Sequence, residues 1–320
     1  MTWRTRTTAF RDRDGWLATR REGLGASEVA ALLGESPFAG PWDVRAAKDG
    51  GPEVKDHDDA PEGETGLDVS DPKLRGQILE PLVGTLYSAA TGRKHLAIGD
   101  ALGLPGHIAV TRHATEPWLR ASLDATVYDD ELGEGIGEWK TSRDSYKWGP
   151  SGAVLDGTLP AFDRVVPTHI GIQALVQLAV TGLAFCDVGV LTGGLAFRWF
   201  RVLRHEPTLD ALVRVTGDLY HRQIVGPEFP DLDDSEACVR ACRARLAENR
   251  TKSRRATVEE TEWIYALVAK RDAETAANAA RARILAAVGD CERLTLPPSG
   301  DGAARGVRVQ KDGKVVAYGF

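Results

Sequence analysis

The stretch "WLRASLDATVYDDELGEGIGEWKTS", residues 118–142, decides the fold. Its alternation of apolar and polar residues predicts two β-strands, at 118–129 and 135–142, joined by the Asp- and Gly-rich turn "DELGEG". Side chains alternate between the two faces of a strand, so Glu138 and Lys140 share one face of the second strand. A half-buried strand therefore carries opposite charges at successive positions of one face.

The charged face of this hairpin gains a second carboxylate from the first strand. In an antiparallel pair, the face of Glu138 adjoins the face that carries Ser122, Asp124 and Thr126. Two carboxylates so close together are unfavourable unless a cation lies between them. Hard oxygen ligands of this kind suit Mg²⁺ or Mn²⁺. A simple salt bridge between Glu138 and Lys140 is the alternative, and the hairpin alone leaves both interpretations open.

The sequence before the hairpin predicts three helices. The segment "GASEVAALLGESPF" predicts a short helix that Ser27 caps and Gly34 ends, and "PWDVRAAKDG" predicts a second from Pro41 to Gly50. The segment "LRGQILEPLVGTLYSAATG" predicts a longer helix with a proline inside it. Its apolar positions recur at helical spacing and predict the buried face: Ile78, Leu82, Leu86 and Ala89.

The sequence after the hairpin continues the alternation of helices and strand pairs. The stretch "PTHIGIQALVQLAVTG" predicts a helix, "AFCDVGVLTG" and "LAFRWFRVLR" predict a second strand pair, and residues 207–225 predict a further helix. Helix, hairpin, helix, hairpin and helix in this order are typical of an α/β (α+β) core with a mixed sheet.

The C-terminal third differs in composition from the core. Residues 236–250 and 257–288 are rich in Ala, Arg and Glu and predict a helical hairpin, with a capping box at Thr257 and Glu260. After a Pro-Pro-Ser-Gly linker, "GVRVQKDGKVVAYGF" predicts a β-hairpin around an Asp-Gly turn. The predicted organisation is a core with an acidic loop, a helical extension, and a linker with the final β-hairpin, at 1–228 (loop 53–72), 229–296 and 297–320.

Composition limits where the protein works. The 320-residue chain has no apolar run long enough to cross a bilayer and no apolar segment of the secretory-signal kind at its N-terminus. We therefore predict a cytoplasmic protein without a membrane partner. The four cysteines are scattered along the chain, which predicts free thiols and argues against a structural zinc site.

The formal net charge of −6 does not by itself indicate a nucleic-acid partner. Much of the acid, however, lies in residues 53–71, which predict a solvated loop. Basic residues cluster at Arg20 and Arg21 and again within 250–255, so local basic surfaces are available despite the net charge. A solvated helix face is the alternative interpretation of the second cluster.

Several segments, in the same order, resemble one known family. Asp124 with Glu138-Trp139-Lys140 is similar to the D…E-x-K core of PD-(D/E)XK nucleases, with Leu123 where many members have Pro. "WLATRREGLGASEVAALLG" resembles the W-x3-R-x6-S-[DE] segment of YqaJ-like phage recombination nucleases and lambda-type exonucleases. "RGQILEPLVGTLYSAATG" resembles their G-x3-E helix, and "IQALVQLAVTG" their Gln-bearing helix. The resemblance implies a restriction-endonuclease-like core with a central mixed sheet flanked by helices.

The resemblance also implies a metal-dependent catalytic site. Glu80, Asp124 and Glu138 match the metal-binding carboxylates, and the carbonyl of Trp139 would complete the ligand set. Lys140 matches the lysine beside the attacking water. The implied cofactor is Mg²⁺ or Mn²⁺, two ions per site, which lower the pKa of a bound water and neutralise developing charge.

Further positions match the residues that surround this site in the family. Gln173 matches a catalytic glutamine, and Gln177, one turn later, a supporting one. A polar stripe on an ordinary amphipathic helix is the alternative for this pair. Arg20, Ser27 and Ser122 match the pocket that binds a 5′-phosphate in the lambda-type enzymes. An arginine that binds phosphate through two N–H groups gives this role a chemical basis.

The function implied is Mg²⁺-dependent exonuclease action on DNA ends. Linear double-stranded DNA would be degraded 5′-to-3′, which exposes 3′ single-stranded tails for a single-strand annealing recombinase. The family also implies a homo-oligomer, a trimeric ring.

Other functions make different demands on the sequence. A nuclease with an iron–sulfur cluster needs one cysteine before the core and three clustered after it, whereas all four cysteines here follow Glu138. A non-catalytic DNA-end-binding module would lack one of the core side chains, and none is missing. A structural protein would not explain why Glu80, Ser122 and the Gln helix occur together. A PD-(D/E)XK nuclease of different polarity in DNA repair remains as an alternative.

Overall fold

The computed structural model describes residues 2–50, 72–193, 195–233, 235–244, 257–288, 293–295, 306–309 and 315–318. The chain divides into two units, Met1–Leu246 and Ala247–Phe320. Several predicted features lie outside the described residues: the acidic loop at 53–71, the basic cluster at 250–255, the linker at 297–300 and the Asp-Gly turn of the last hairpin.

The first unit contains the predicted helices and strand pairs, together with short helices and strands that were not predicted. Its helices are α1 (Arg13–Arg21), α2 (Ala26–Leu32), α3 (Pro41–Lys48), α4 (Pro72–Thr91), α5 (Ile98–Ala101), α6 (Thr168–Thr181), α7 (Glu206–Leu219) and α8 (Glu236–Ala244). Its strands are β1 (Thr7–Phe10), β2 (Leu24–Gly25), β3 (His95–Ala97), β4 (Ile108–Arg112), β5 (Leu119–Ala121), β6 (Ala125–Asp129), β7 (Gly133–Ser142), β8 (Ala153–Leu155), β9 (Phe185–Thr192) and β10 (Phe197–Leu203). Short 3₁₀ helices lie at Trp3–Arg6, Ser145–Lys147 and Leu159–Phe162, and a π-helical turn at Tyr220–Ile224 follows α7.

The central sheet is mixed, as predicted. Its strand order is β3-β6-β7-β9-β10-β8. β7 pairs with β6 antiparallel and with β9 parallel, so a crossover is required between β7 and β9, and α6 lies within it. A smaller sheet has the order β1-β4-β5-β2. Helices α4 and α6 both contact the central sheet, which confirms a mixed α/β core flanked by helices.

Residues 118–129 were predicted as one strand, but they form two separate strands. The chain forms β5 in the small sheet and β6 in the central sheet, with residues 122–124 between them. Leu123 is 4% exposed, which anchors this junction in the core. The register pairs Thr126 with Ile136, so Asp124 lies just beyond the paired part of the hairpin, on the side of Glu138. The two predicted site residues of the first strand therefore project from a junction.

Helix α4 forms as predicted, but the face that is buried is not the predicted one. Ile78 is 58% exposed and Leu82 is 44% exposed, whereas Val83 and Tyr87 are fully buried. Tyr87 packs against Trp139 of β7, with ring centroids 5.2 Å apart. Val83 and Tyr87 lie four residues apart and share a buried cluster with Trp139. These contacts, and not the predicted apolar positions, therefore define the packed face of α4.

Helix α6 is buried along most of its length, which explains its apolar sequence. Every residue from Ile170 to Thr181 is buried, and the helix packs against both α2 and the sheets. Gly182 ends it with φ of +81°, a conformation that glycine adopts without strain. Because α6 packs on strands β7 and β9, its buried polar residues face the protein interior.

Helix α8 packs on α3 and so extends the first unit beyond the predicted boundary at residue 228. Ala237 and Cys238 form a small buried cluster with Trp42, whose ring stacks on Phe229 at 5.7 Å. The unit therefore ends at Leu246. Within the described residues, the cysteines form no disulfide, in line with the predicted free thiols.

The second unit contains α9 (Val258–Val288), β11 (Arg293–Thr295), β12 (Gly306–Val309) and β13 (Val315–Tyr318). The predicted capping box is confirmed: the N–H of Thr257 donates to Glu260 at 2.8 Å, and the N–H of Glu260 donates to the Thr257 hydroxyl at 3.2 Å. β12 and β13 pair antiparallel as predicted, and β11 adds a strand that the sequence did not indicate. Among the described helices, none is long and apolar enough to cross a membrane.

A buried ionic network ties the strands of the central sheet together. Arg201 on β10 donates to both oxygens of Asp187 on β9, each at 2.7 Å, and to Asp129 on β6 at 2.7 Å. The Tyr87 hydroxyl of α4 also donates to Asp187. Hydrogen bonds from Arg201 hold the pKa of Asp129 well below its usual range. The network therefore joins α4 to three strands of one sheet.

We predict that Arg201→Met lowers the free energy of unfolding by about 3–5 kcal/mol, because it leaves the fully buried carboxylate of Asp187 without its cation. The measurement is urea unfolding followed by circular dichroism. Arg222→Met is the matched control, since Arg222 also pairs with two carboxylates but at the surface, and its loss should cost less than about 1 kcal/mol. Equal effects of the two substitutions would contradict the prediction.

Candidate active site

The site is built around Glu138, in the middle of β7. Glu138 is 1% exposed, and β7 is flanked by β6 on one side and β9 on the other. An ionised carboxylate in this position has no water to solvate it, so its charge must be met by donors from the protein. The neighbouring side chains supply them.

Two amides and one ammonium group hold the carboxylate of Glu138. Gln173 Nε2 donates to Oε1 at 2.6 Å, and Gln177 Nε2 donates to Oε2 at 2.6 Å. Lys140 Nζ lies 2.6 Å from Oε1. Gln173 is 9% exposed and Gln177 is fully buried, which excludes a solvent-facing polar stripe. The spacing of one helical turn thus presents two amides to the two oxygens of one carboxylate.

Asp124 approaches Glu138 from the junction before β6. Its Oδ2 accepts the backbone N–H of Trp139 at 2.7 Å. Burial raises the pKa of Asp124 well above its usual range, and the charges of Glu138 and Glu80 raise it further. The charge of Lys140 and the hydrogen bond from Trp139 oppose this rise. Asp124 therefore lies within the electrostatic field of both other carboxylates.

Glu80 reaches the same region from α4. It precedes Val83 and Tyr87 on one face of the helix, the face that packs toward β7. The pKa of Glu80 is raised by burial first and by the charge of Glu138 second, and Lys140 lowers it. Carboxylates from a helix, a junction and a strand thus repel one another around one lysine.

The donor set fits a hard divalent cation. Carboxylate oxygens and a backbone carbonyl are ligands that Mg²⁺ and Mn²⁺ prefer. Burial is the main cause of the raised pKa of Asp124 and of Glu80, and a cation would relieve the repulsion that raises both further. In this structure, both oxygens of Glu138 accept hydrogen bonds from glutamine side chains. In keeping with this, the described part of the chain contains no group of three His, Cys, Asp or Glu side chains that could hold a metal by itself. The ligand set of Glu80, Asp124, Glu138 and the Trp139 carbonyl stays a prediction.

The residues predicted to bind a phosphate form a second, adjoining cluster. Arg20 Nη2 donates to Ser27 Oγ at 3.1 Å, and the Arg20 guanidinium lies over the Trp16 ring at 4.6 Å. The Trp16 indole N–H donates to Ser122 Oγ at 3.0 Å. Gln177 Nε2 donates to the Ser122 carbonyl at 3.3 Å, in addition to Glu138. One amide thus joins the phosphate cluster to the carboxylate cluster.

The predicted cap of α2 is wrong. Gly25 is the N-cap residue, and Ser27 is the second residue of the helix. The Glu28 side chain reaches back to accept the N–H of Gly25 at 2.7 Å, which is the bond that the third helical residue supplies in a capping box. The Ser27 hydroxyl is therefore available to Arg20.

Some residues of the site were not predicted from the sequence. Trp16 and Glu28 stand in the segment that carried the resemblance, so the sequence did hold a signal for them. Cys186 on β9 gave no signal. Its thiol, 3.7 Å from Gln177 Oε1, donates to that oxygen and so leaves Nε2 directed at Glu138. Burial, followed by the charge of Glu138, raises the pKa of this thiol well above its usual range.

A cleft of about 740 Å³ opens beside Lys140. Apolar walls come from Phe38 and Trp148, and Lys147 on the wall pairs with Asp144 at 2.7 Å. The charged residues of the lining are of both signs: Lys140, Arg143, Lys147 and Arg164, and Glu35, Asp144 and Asp163. Its dimensions suit a short stretch of extended polymer or a ligand of nucleotide size. The carboxylate cluster is therefore bordered by a groove whose walls carry charges of both signs.

The core of the chain matches a known domain family. Residues 15–184, which include all of the predicted site residues, match a model of the YqaJ-like viral recombinase domain. The chain belongs to this family. The resemblance drawn from the sequence motifs is thereby confirmed.

Individual relatives are more distant. The uncharacterized protein YqaJ of Bacillus subtilis (strain 168) is 23% identical over 240 residues, which cover 74% of this chain and 64% of that protein. This chain thus spans 64% of the length of that relative. The alkaline exonuclease LHK-Exo of Laribacter hongkongensis aligns with a TM-score of 0.42 at 18% identity, over 64% of this chain and 90% of that chain. Its complex with dAMP aligns with a TM-score of 0.41 at 18% identity, over the same shares.

We predict that Asp124→Asn stabilises the metal-free protein above about pH 4. The raised pKa of Asp124 means that the folded state binds this proton more tightly than the unfolded state. Its contribution to stability is therefore present below the unfolded pKa and is lost as pH rises toward the folded one. Asparagine removes that loss and can still accept the Trp139 N–H.

The measurement is thermal unfolding with chelator at pH 4 and at pH 8. The gain should be on the order of 1 kcal/mol at pH 8 and near zero at pH 4. Asp130→Asn, in the turn between β6 and β7, is the matched control. A loss of stability at pH 8 would contradict the stated cause of the pKa rise.

Proposed function

We propose that the protein is a Mg²⁺-dependent exodeoxyribonuclease that degrades linear double-stranded DNA 5′-to-3′. The observation that carries the proposal is the buried carboxylate of Glu138, fixed by Gln173, Gln177 and Lys140, with Asp124 and Glu80 in its electrostatic field. A purely structural ion pair would need only Lys140. Membership in the YqaJ-like viral recombinase domain family agrees with this chemistry.

The residues of the chain divide the work of hydrolysis. Glu80, Asp124, Glu138 and the Trp139 carbonyl would hold the metal, which when bound lowers the pKa of the attacking water and neutralises charge on the phosphate. The two glutamines prevent rotation of the Glu138 carboxylate. Lys140 holds the attacking water and places a positive charge beside the reacting phosphate.

The phosphate cluster gives the reaction its direction. Arg20, Ser27 and Ser122 would bind the 5′-phosphate of the strand that is cut, through a guanidinium and two hydroxyls. Water attacks phosphorus, the O3′ of the terminal nucleotide leaves, and the shortened strand keeps a new 5′-phosphate. That phosphate is the next ligand of the same cluster, so each cut prepares the following one.

The product explains the proposed partners. Removal of the 5′ strand leaves a 3′ single-stranded tail, which is the substrate of a single-strand annealing recombinase. We place the strand that is cut along the cleft beside Lys140, where Arg143 would contact a phosphate. A homo-oligomeric ring would keep the enzyme on its substrate between cuts.

We predict that Glu138→Gln abolishes Mg²⁺-dependent cleavage, a loss of at least about a hundredfold, while the protein stays folded. The new amide oxygen can accept from Gln177, and rotation of the Gln173 amide lets its oxygen accept the new N–H. Lys140 loses its contact with Oε1, but its side chain is 23% exposed and can turn its ammonium toward water. The measurement uses end-labelled linear duplex, with Mg²⁺ and then with chelator.

The matched control is Glu131→Gln, in the turn between β6 and β7, where the side chain is exposed. It should leave cleavage unchanged. A folded Glu138→Gln protein that still cleaves DNA in the presence of Mg²⁺ would contradict the catalytic assignment of Glu138.

We predict that Arg20→Ala lowers cleavage of 5′-phosphorylated ends at least about tenfold more than cleavage of 5′-hydroxyl ends. Wild-type and variant rates are compared on both substrates and on circular duplex, which an exonuclease leaves intact. Arg21→Ala is the control, because Arg21 is the exposed neighbour on the same helix turn. Equal losses on both ends would rule out the phosphate role of Arg20.

A further inference from the structure

The C-terminal end of α1 is held by two buried cations from elsewhere in the fold. The last carbonyls of a helix lack partners within the helix and carry partial negative charge. Lys48 on α3 donates to the Arg20 carbonyl at 3.4 Å, and Arg120 on β5 donates to the Thr19 carbonyl. Arg120 also donates to the Glu22 carbonyl at 3.5 Å. The backbone that carries Arg20 is therefore tied to α3 and to β5.

Lys48 has no N–H left for another ligand. Its ammonium lies 2.8 Å and 2.6 Å from the two oxygens of Glu28, and its third contact is the Arg20 carbonyl. An ammonium has three donors, so these contacts use all of them. The side chains of Lys48 and Glu28 are 5% and 7% exposed. Lys48 therefore acts on Arg20 from inside the protein and does not reach DNA.

The same ion pair shapes the space around the Arg20 guanidinium. Glu28 caps α2 through the N–H of Gly25, which sets the position of Ser27 two residues later. A Cβ at Gly25 would lie 3.2 Å from Glu28 Oε2 and 3.3 Å from Arg20 Nη2. The absence of a side chain at Gly25 lets the guanidinium pack over the turn that Glu28 fixes.

We propose that Lys48, Glu28 and Arg120 are positioning residues of the 5′-phosphate cluster, which hold the end of α1 so that the Arg20 guanidinium meets a terminal phosphate. The proposal rests on the proposed function, because it assumes that Arg20 binds this phosphate. The ion pair joins α2 to α3, and Arg120 joins α1 to β5, one residue before the Ala121–Ser122 step. The backbone segments that carry Arg20, Ser27 and Ser122 are thus all held by one network of buried charged side chains.

The test compares cleavage of 5′-phosphorylated and 5′-hydroxyl linear duplex by the full-length protein with Mg²⁺. Lys48→Met should lower the ratio of kcat/KM values for the two ends at least about tenfold, mainly through a higher KM for the phosphorylated end. Lys94→Met, at an exposed position, is the matched control and should leave the ratio unchanged. In the Arg20→Ala background, Lys48→Met should have no further effect on the ratio, because Lys48 acts through Arg20.

Lys48→Met also leaves Glu28 buried without a cation, which threatens folding. The double variant Glu28→Gln with Lys48→Met removes both charges, keeps an oxygen to cap Gly25, and still leaves the Arg20 carbonyl without its donor. It should melt within a few degrees of the wild type and show the same lowered ratio. A wild-type ratio in this double variant overturns the positioning proposal. A wild-type protein that does not distinguish the two ends overturns the phosphate cluster itself.

Discussion

The structure depends on how it solvates one buried charge. Glu138 is enclosed between β6 and β9, and without its donors an ionised carboxylate there would cost several kcal/mol. Gln173 and Gln177 supply neutral donors and Lys140 supplies the positive charge. Because the amides come from α6, the crossover helix must lie directly on the sheet, and between Ile170 and Val180 its sequence has no polar side chain except at those positions. The fold and the site thus impose the same requirement on one helix.

The carboxylates around Glu138 reach it by different routes, and each route is fixed by packing away from the site. Tyr87 holds α4 through its hydrogen bond to Asp187 and its contact with Trp139, which sets where Glu80 can lie. The change of sheet between β5 and β6 releases Asp124 from regular pairing, so its side chain accepts a backbone N–H instead. Repulsion among the carboxylates is tolerated because the surrounding contacts hold the backbone in place.

Sequence patterns predicted the elements well and their contacts less well. The helical sequence of α6, the Asp- and Gly-rich turn before β7 and the capping box of α9 are local signals. The helix and the capping box formed where they were predicted, and the turn is shorter than predicted because β7 begins at Gly133. The break after β5 is not local, because it depends on which sheet each half of the strand joins. The prediction of the buried face of α4 was wrong for a related reason. The helix is oriented by the contact between Tyr87 and Trp139, and the spacing of its apolar residues does not reveal that contact. The thiol of Cys186 matters only through Gln177, and no spacing in the sequence connects those two residues.

Gln177 has a consequence for how such a protein could change over time. Its amide donates to Glu138 and to the Ser122 carbonyl, and its oxygen accepts the Cys186 thiol, so every polar atom of the side chain is committed. No substitution preserves all of these contacts, since no other side chain has an amide of that reach. Altered end preference would therefore have to arise at the periphery of the phosphate cluster, in α1 or α2. Any replacement of Gln177 would break contacts in the phosphate cluster and in the carboxylate cluster at once.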